Sequence, residues 1–167
     1  MASTADAELT TRGLDPSSNL RLFGRLPTLV TGVLQSREMR ALVIKSEPMK
    51  LILDGPKSWE IRRGRCLIKE LIGLIESGSG TVVGVAELTG CIGPLTRDMR
   101  IRNARKMGVS LEEAGQRWPK DFYAWVLQNR LRLKKPVPYK HSNGIVRWVP
   151  LSPATEAAVR KQLKFGG

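Results

Sequence analysis

Two cysteines and one histidine are all that this 167-residue chain has of the residues that build the usual zinc sites. Cys66 and Cys91 lie far apart in sequence and neither has a CxxC partner, so they cannot form a structural zinc site of the usual Cys/His kind. They read as buried, reduced thiols, and neither a metal nor another cofactor is expected. Long apolar runs are missing too. No stretch approaches ~18 apolar residues, and Met1 to Val30 lacks a basic head followed by an apolar segment. A membrane span and a secretory signal are not expected, and the chain reads as soluble and cytoplasmic. Acids are scarce: 15 Asp and Glu against 28 Lys and Arg leave a net charge of +13, which points to a polyanionic partner. Arg12, Arg21, Arg25 and Arg37 are balanced by Asp6, Glu8, Asp15 and Glu38, so the whole surplus falls on residues 39–167.

The 41% of hydrophobic residues are enough for one core, and one compact domain is expected. Residues 1–38 read as an extension that is disordered or loosely docked. The first 20 are small and polar without periodicity, and Leu26 to Leu34 is interrupted by Pro27 and Gly32. Met39 opens a sequence resembling an ordinary protein start, so an alternative start there is one reading. Residues 39–151 carry the folded pattern. Ala41 to Lys45 has strand composition and precedes a short helix capped by Ser46 or Glu47, with Pro48 in its first turn and Gly55 past its end. Ser58 to Arg63 reads as a second strand. Cys66 to Ile75 and Thr81 to Leu88, separated by Ser77-Gly78-Ser79-Gly80, read as a hairpin buried on both faces.

Pro94 to Trp118 reads as an inserted helical arm, with a capping-box signature at Ser110 to Glu113. Phe122 to Gln128 and Ile145 to Val149 return to strand. Residues 152–167 form a terminal helix and tail, started by Ser152-Pro153, with Val159 and Leu163 on one face. Strands outnumber helices and are not each followed by a long helix. The fold class is therefore α+β: a small mixed β-barrel with short flanking helices.

The chemistry concentrates in LILDGPKSWEIRR, where a helix ends at Gly55 and Lys57, Glu60 and Arg62 emerge at the start of a strand. Alternation places Ser58, Glu60 and Arg62 on one face and Lys57, Trp59 and Ile61 on the other, although Lys57 sits at the turn and can bend toward the first face. Such a cluster is costly unless it is paired or faces a wet cleft. A surface ion network at a strand end is the plainer alternative. Trp59, beside this cluster, is the stronger candidate to stack on an unpaired base, whereas Trp125 and Trp148 read as barrel packing. Two cation runs flank the pattern: Arg97, Arg100, Arg102, Arg105 and Lys106, then Arg130, Arg132, Lys134 and Lys135 after the Trp125 strand. They read either as solvated faces or as the sides of an electrostatic groove for phosphates. His141 reads as an exposed loop histidine, with a weaker case as an acid or base.

Gly55-x-Lys57-x-x-Glu60-x-Arg62, preceded by Leu42-Val43-Ile44-Lys45 and a short helix, resembles the G-x-K-x-x-E-x-R signature of the ASCH family, a branch of the PUA-like β-barrels. Tyr123 to Leu127, Pro136 to Lys140, and Gly144 before Trp148 are similar to that family's closing strands and the proline-containing segment between them. The resemblance runs from Met39 to Leu151. It implies a barrel of five or six strands with a cleft at its mouth lined by the motif's Lys, Glu and Arg, and binding of RNA or other nucleic acids in translation or transcription control. One branch resembles an amidohydrolase that uses a motif lysine and a threonine three positions later. Here that later position is Glu60, and Ser58 is the nearest hydroxyl.

The residues and the resemblance together predict an RNA-binding module, with RNA favoured over DNA, or binding of a nucleotide-containing ligand around Lys57, Glu60 and Arg62. The alternative is a hydrolase acting on RNA or a modified nucleoside, with Lys57, Glu60 and Ser58 as catalytic groups. A third reading is a protein-interaction module for an acidic partner.

Overall fold

A computed structural model of the chain describes residues 38–118, 121–140 and 148–164. All described residues belong to one compact unit, which begins at Ser36. The expectation for residues 1–38 lies outside the described residues except for Glu38, as does that for His141.

The strands are β1 (Arg40–Ile44), β2 (Trp59–Arg63), β3 (Glu70–Glu76), β4 (Thr81–Ile92), β5 (Phe122–Pro138) and β6 (Trp148–Pro150). They form one sheet in the order β2-β5-β4-β3-β1-β6, antiparallel except for the β1–β3 pair. The expected hairpin is the β3–β4 pair. The β4–β5 ladder carries three register shifts, between Val82/Gly84, Val85/Glu87 and Leu88/Gly90, and such irregularities bend and twist long strands. The sheet curls into a half-barrel. In a flat sheet β2 and β1, four places apart, would be separated by roughly 19 Å at the usual strand spacing. Instead Arg62 on β2 donates from Nη2 to the Val43 carbonyl on β1 at 2.6 Å. The indoles of Trp125 on β5 and Trp148 on β6, also four places apart, stack with centroids 5.5 Å apart and planes inclined by 9°. The packing role expected of these two tryptophans is the one they occupy.

Helix α1 (Ser46–Asp54) covers one sheet face. Its Met49 and Ile52 join Leu42, Ile44, Ile72, Leu74 and Trp125 in the main core. Its N-cap is Lys45, which makes no side-chain cap bond, so the expected Ser46 or Glu47 cap is corrected: both are already helical. Helix α5 (Pro153–Lys164) covers the opposite face, seating Val159 against Met39, Ala41, Val85 and Val149. The arm consists of α2 (Arg97–Arg102), α3 (Ala104–Met107) and α4 (Leu111–Gln116), with the predicted capping box formed between Ser110 and Glu113. Met107 and Leu95 pack it against Trp59 and Ala124. Cys66 and Cys91 meet in space, the Cys66 amide donating to Cys91 Sγ at 3.3 Å. No described helix is long and apolar enough to cross a membrane.

Candidate functional site

The turn between α1 and β2 is held from several sides before any side chain of the motif is considered. The Lys57 amide donates to Leu51 O, the Ser58 amide to Lys106 O in the arm, and the Leu127 amide on β5 to Ser58 O. From β5, Arg130 Nη1 reaches the Lys57 carbonyl at 2.5 Å and the Gly55 carbonyl at 3.4 Å. Arg132 makes a two-pronged ion pair with Asp54, at 3.1 and 2.6 Å. The second basic run therefore does not follow the Trp125 strand as a separate patch. It lies within the 17-residue β5, and two of its cations serve the motif turn. Lys134 and Lys135 are exposed farther along the same strand.

Lys57 bends toward Glu60, as its place at the turn allows. Its Nζ donates to Trp59 O at 2.7 Å and Met107 O at 2.9 Å and lies 3.4 Å from Glu60 Oε2. An ammonium has three protons, and these three partners account for all of them. The other Glu60 oxygen accepts from Arg62 Nε at 3.0 Å. Lys57 is 4% exposed and Glu60 7%, so the cluster is a buried pair with a half-buried guanidinium and not a surface ion network. Burial pushes the Lys57 pKa below 10.5. Glu60 opposes that shift, and the positive charges of Arg62 and Arg117 reinforce it. Gly108 caps α3 at φ +70°, and a Cβ there would stand 3.1 Å from the Lys57 side chain, so a glycine lets the arm close on this lysine.

A cleft of about 400 Å³ opens beside the cluster. One wall is the start of α1, with Lys45, Glu47 and Pro48; Lys57, Glu60, Ile61 and Arg62 form its base. The arm supplies the opposite wall through Met107, Gly108, Val109, Arg117 and Trp118. Trp118 is half-buried, with the Arg117 guanidinium 5.3 Å from its ring centroid. Lys45, Arg117 and Trp118 were not singled out as site residues by sequence reasoning. The usable signal was an aromatic directly after a cation at the exit of the arm.

Trp59 is not an open stacking platform. It is 6% exposed and packed with Leu95, Met107 and Ala124, with the Lys106 ammonium 5.3 Å from its ring centroid. Arg100 departs from the outward run: at 7% exposure it donates from Nε to Ala114 O and from Nη1 to Leu95 O, both at 3.0 Å. The run is also split between two helices, since α2 ends at Arg102 and Lys106 belongs to α3. Arg97, Arg102, Arg105 and Lys106 are exposed. Ser58 is not part of the cleft wall. Among the described residues no group of three His, Cys, Asp or Glu side chains could hold a metal ion.

No protein-family model and no curated protein matches the chain. Solved structures do. The crystal structure of ASCH from Zymomonas mobilis aligns with a TM-score of 0.58 at 17% identity, covering 75% of this chain and 95% of that one. A tyrosine-to-phenylalanine mutant of the same protein gives 0.58 at 17% identity over 75% and 98% of the two chains. A serine-to-alanine mutant gives 0.58 at 16% over 75% and 96%. The chain thus has an ASCH-type fold, the α+β PUA-like architecture that its motif resemblance implied.

Proposed function

We propose that this ASCH-type chain binds single-stranded nucleic acid, RNA in preference to DNA, and takes an unpaired nucleotide into the cleft beside Lys57, Glu60 and Arg62. A cytoplasmic site of action goes with that reading. The observation that carries it is Trp118: a half-buried indole on the wall of a roughly 400 Å³ cleft that also presents Lys45, Arg62 and Arg117. That volume lies toward the small end of the ligand-pocket range. It suits one base and its sugar, and a duplex is too wide to enter. The aromatic offers a stacking surface, the cations offer phosphate partners, and Arg102 and Arg105 extend positive charge over the arm.

A hydrolytic reading rests on one observation, the buried Lys57 with its lowered pKa beside a carboxylate. Geometry favours binding over that reading. Trp59 O, Met107 O and Glu60 already occupy the positions around Nζ, and Ser58 supplies no hydroxyl to the cleft.

Fluorescence anisotropy with a labelled RNA decamer, its duplex and the matching single-stranded DNA tests the reading. The single-stranded RNA should bind most tightly, and Trp118→Ala should weaken it by about tenfold, the loss expected for one stacked base. Equal binding of the duplex, or a Trp118→Ala variant that binds as well as the wild type, would sink the proposal. Multiple-turnover product formation from the RNA would establish the hydrolase instead.

A further inference from the structure

Trp118 belongs to two cavities. Besides the motif cleft, it lines a second hollow of about 510 Å³ bounded by Pro94, Leu95, Thr96, Arg97 and Asp121. It is the residue common to both walls among those described. Each hollow differs in character. The motif cleft is lined by several cations and acids, whereas the second is walled largely by the proline ring, Leu95 and the indole, with Arg97 exposed at its edge. Arg100 also lines it, but it is buried, with its guanidinium held by donation from Nε to Ala114 O and from Nη1 to Leu95 O. Arg117 lines the motif cleft beside this shared indole, its guanidinium 5.3 Å from the ring centroid and its side chain more than half exposed. Its Glu113 contact, at 3.5 Å between two exposed groups, is weak enough to yield to a phosphate.

From this shared wall we infer that the second hollow is the subsite for a neighbouring base, so that the ligand is at least two successive unpaired nucleotides running across Trp118. This rests on the nucleic-acid reading above and specifies its ligand length. The linking phosphate lies by Arg117, and the second base enters the hollow with Arg97 available to its outer phosphate. Asp121 is the acid of that wall and would repel a phosphate, which assigns the hollow's interior to the base and leaves the phosphates to the rim. Apolar walls with a cation at the edge match a base carrying a phosphate, while a bare anion would find little inside.

The test uses the full chain and displacement of the labelled RNA decamer by mixed-sequence competitor pools. One pool holds the nucleoside 5′-monophosphates, the other the 5′-phosphorylated dinucleotides. The dinucleotides should compete about tenfold better, the gain expected when a second base stacks. In Arg97→Glu, an exposed substitution outside the motif cleft, that ratio should collapse to about one. Equal competition by the two pools in the wild type overturns the second subsite and leaves the single-nucleotide reading standing. Failure of both pools to displace the decamer overturns the subsite and the cleft reading together. A dinucleotide advantage undiminished in Arg97→Glu shows that the extra contact lies elsewhere, and also overturns the assignment.

Discussion

Lys57 spends its charge inside the protein. Removing a lysine ammonium from water is expensive, and here two carbonyls and one carboxylate offset that cost. The result is a tie between three parts of the chain: the motif turn, β2 through Glu60, and the arm through Met107. Lys57→Met keeps the length of the stem, orphans two carbonyls, and leaves Glu60 with Arg62 as its remaining cation. A loss of about 3 kcal/mol in chemical denaturation is expected, at the low end for breaking a buried pair. The pH dependence carries its own sign. Because burial lowers the folded pKa of Lys57 below 10.5, the unfolded chain holds more protons in the window between the folded value and 10.5. The stability difference between wild type and Lys57→Met should therefore grow as pH rises through that window and level off above it. A difference that shrinks instead would mean that Glu60 outweighs desolvation at this lysine.

Within the arm, cations that look alike in sequence do different work. Arg100 ties α2 to the end of α4 and to Leu95 at the entrance to the arm, so it is a strut for three short helices that could not stand alone. Arg102 and Arg105 point to solvent. Arg100→Ala should cost about 3 kcal/mol, lost with two charged hydrogen bonds to buried carbonyls. It should also raise amide exchange through α2 to α4 above that of the sheet. Arg102→Ala and Arg105→Ala should stay within about 0.5 kcal/mol of wild type. Equal effects at all three positions would contradict the assignment of Arg100 as the strut. The same contrast explains what could be read in advance. The β3–β4 hairpin, the capping box at Ser110 and the motif turn were legible because turn formers and caps act locally, over three or four residues. Which arginine of a run faces inward depends on where the arm lands on the sheet, a contact between Leu95, Met107 and Trp59 that spans tens of residues. For the same reason Trp59 stood out in the sequence as a stacking candidate and Trp118 did not. Both sit beside cations, and only the docked arm buries the first and leaves the second on a cleft wall. The length of β5 was missed because Arg130, Arg132, Lys134 and Lys135 resemble a loop's charge run until β4 is seen pairing on through Leu131, Arg132, Val137 and Pro138.

At the scale of the whole molecule, curvature and charge act together. Curling brings β2 against β1 and β5 against β6, which places Arg62 at the mouth near the start of α1, while Arg130 and Arg132 are drawn into the support of the motif turn. Part of the +13 is thereby consumed in the fold: Arg100, Arg130 and Arg132 all have specific protein partners. The cations still directed outward on the arm are Arg97, Arg102, Arg105 and Lys106, together with Arg117 beside the cleft. A polyanion gathered by these side chains releases its condensed counterions, so the logarithm of affinity should fall linearly with the logarithm of salt. Each single-strand phosphate contact contributes about 0.7 to that slope. Arg102→Ala with Arg105→Ala should therefore flatten it by about 0.7 to 1.4, weaken binding across RNA sequences alike, and leave melting unchanged. Arg100 is excluded from such a set because its loss would act through the fold of the arm. Anisotropy titrations of the RNA decamer at several salt concentrations read the slope directly. An unaltered slope in the double variant would mean that the phosphates do not cross the outer face of the arm at Arg102 and Arg105, and would leave Lys45, Arg62, Arg117 and Arg97 as the candidate phosphate partners.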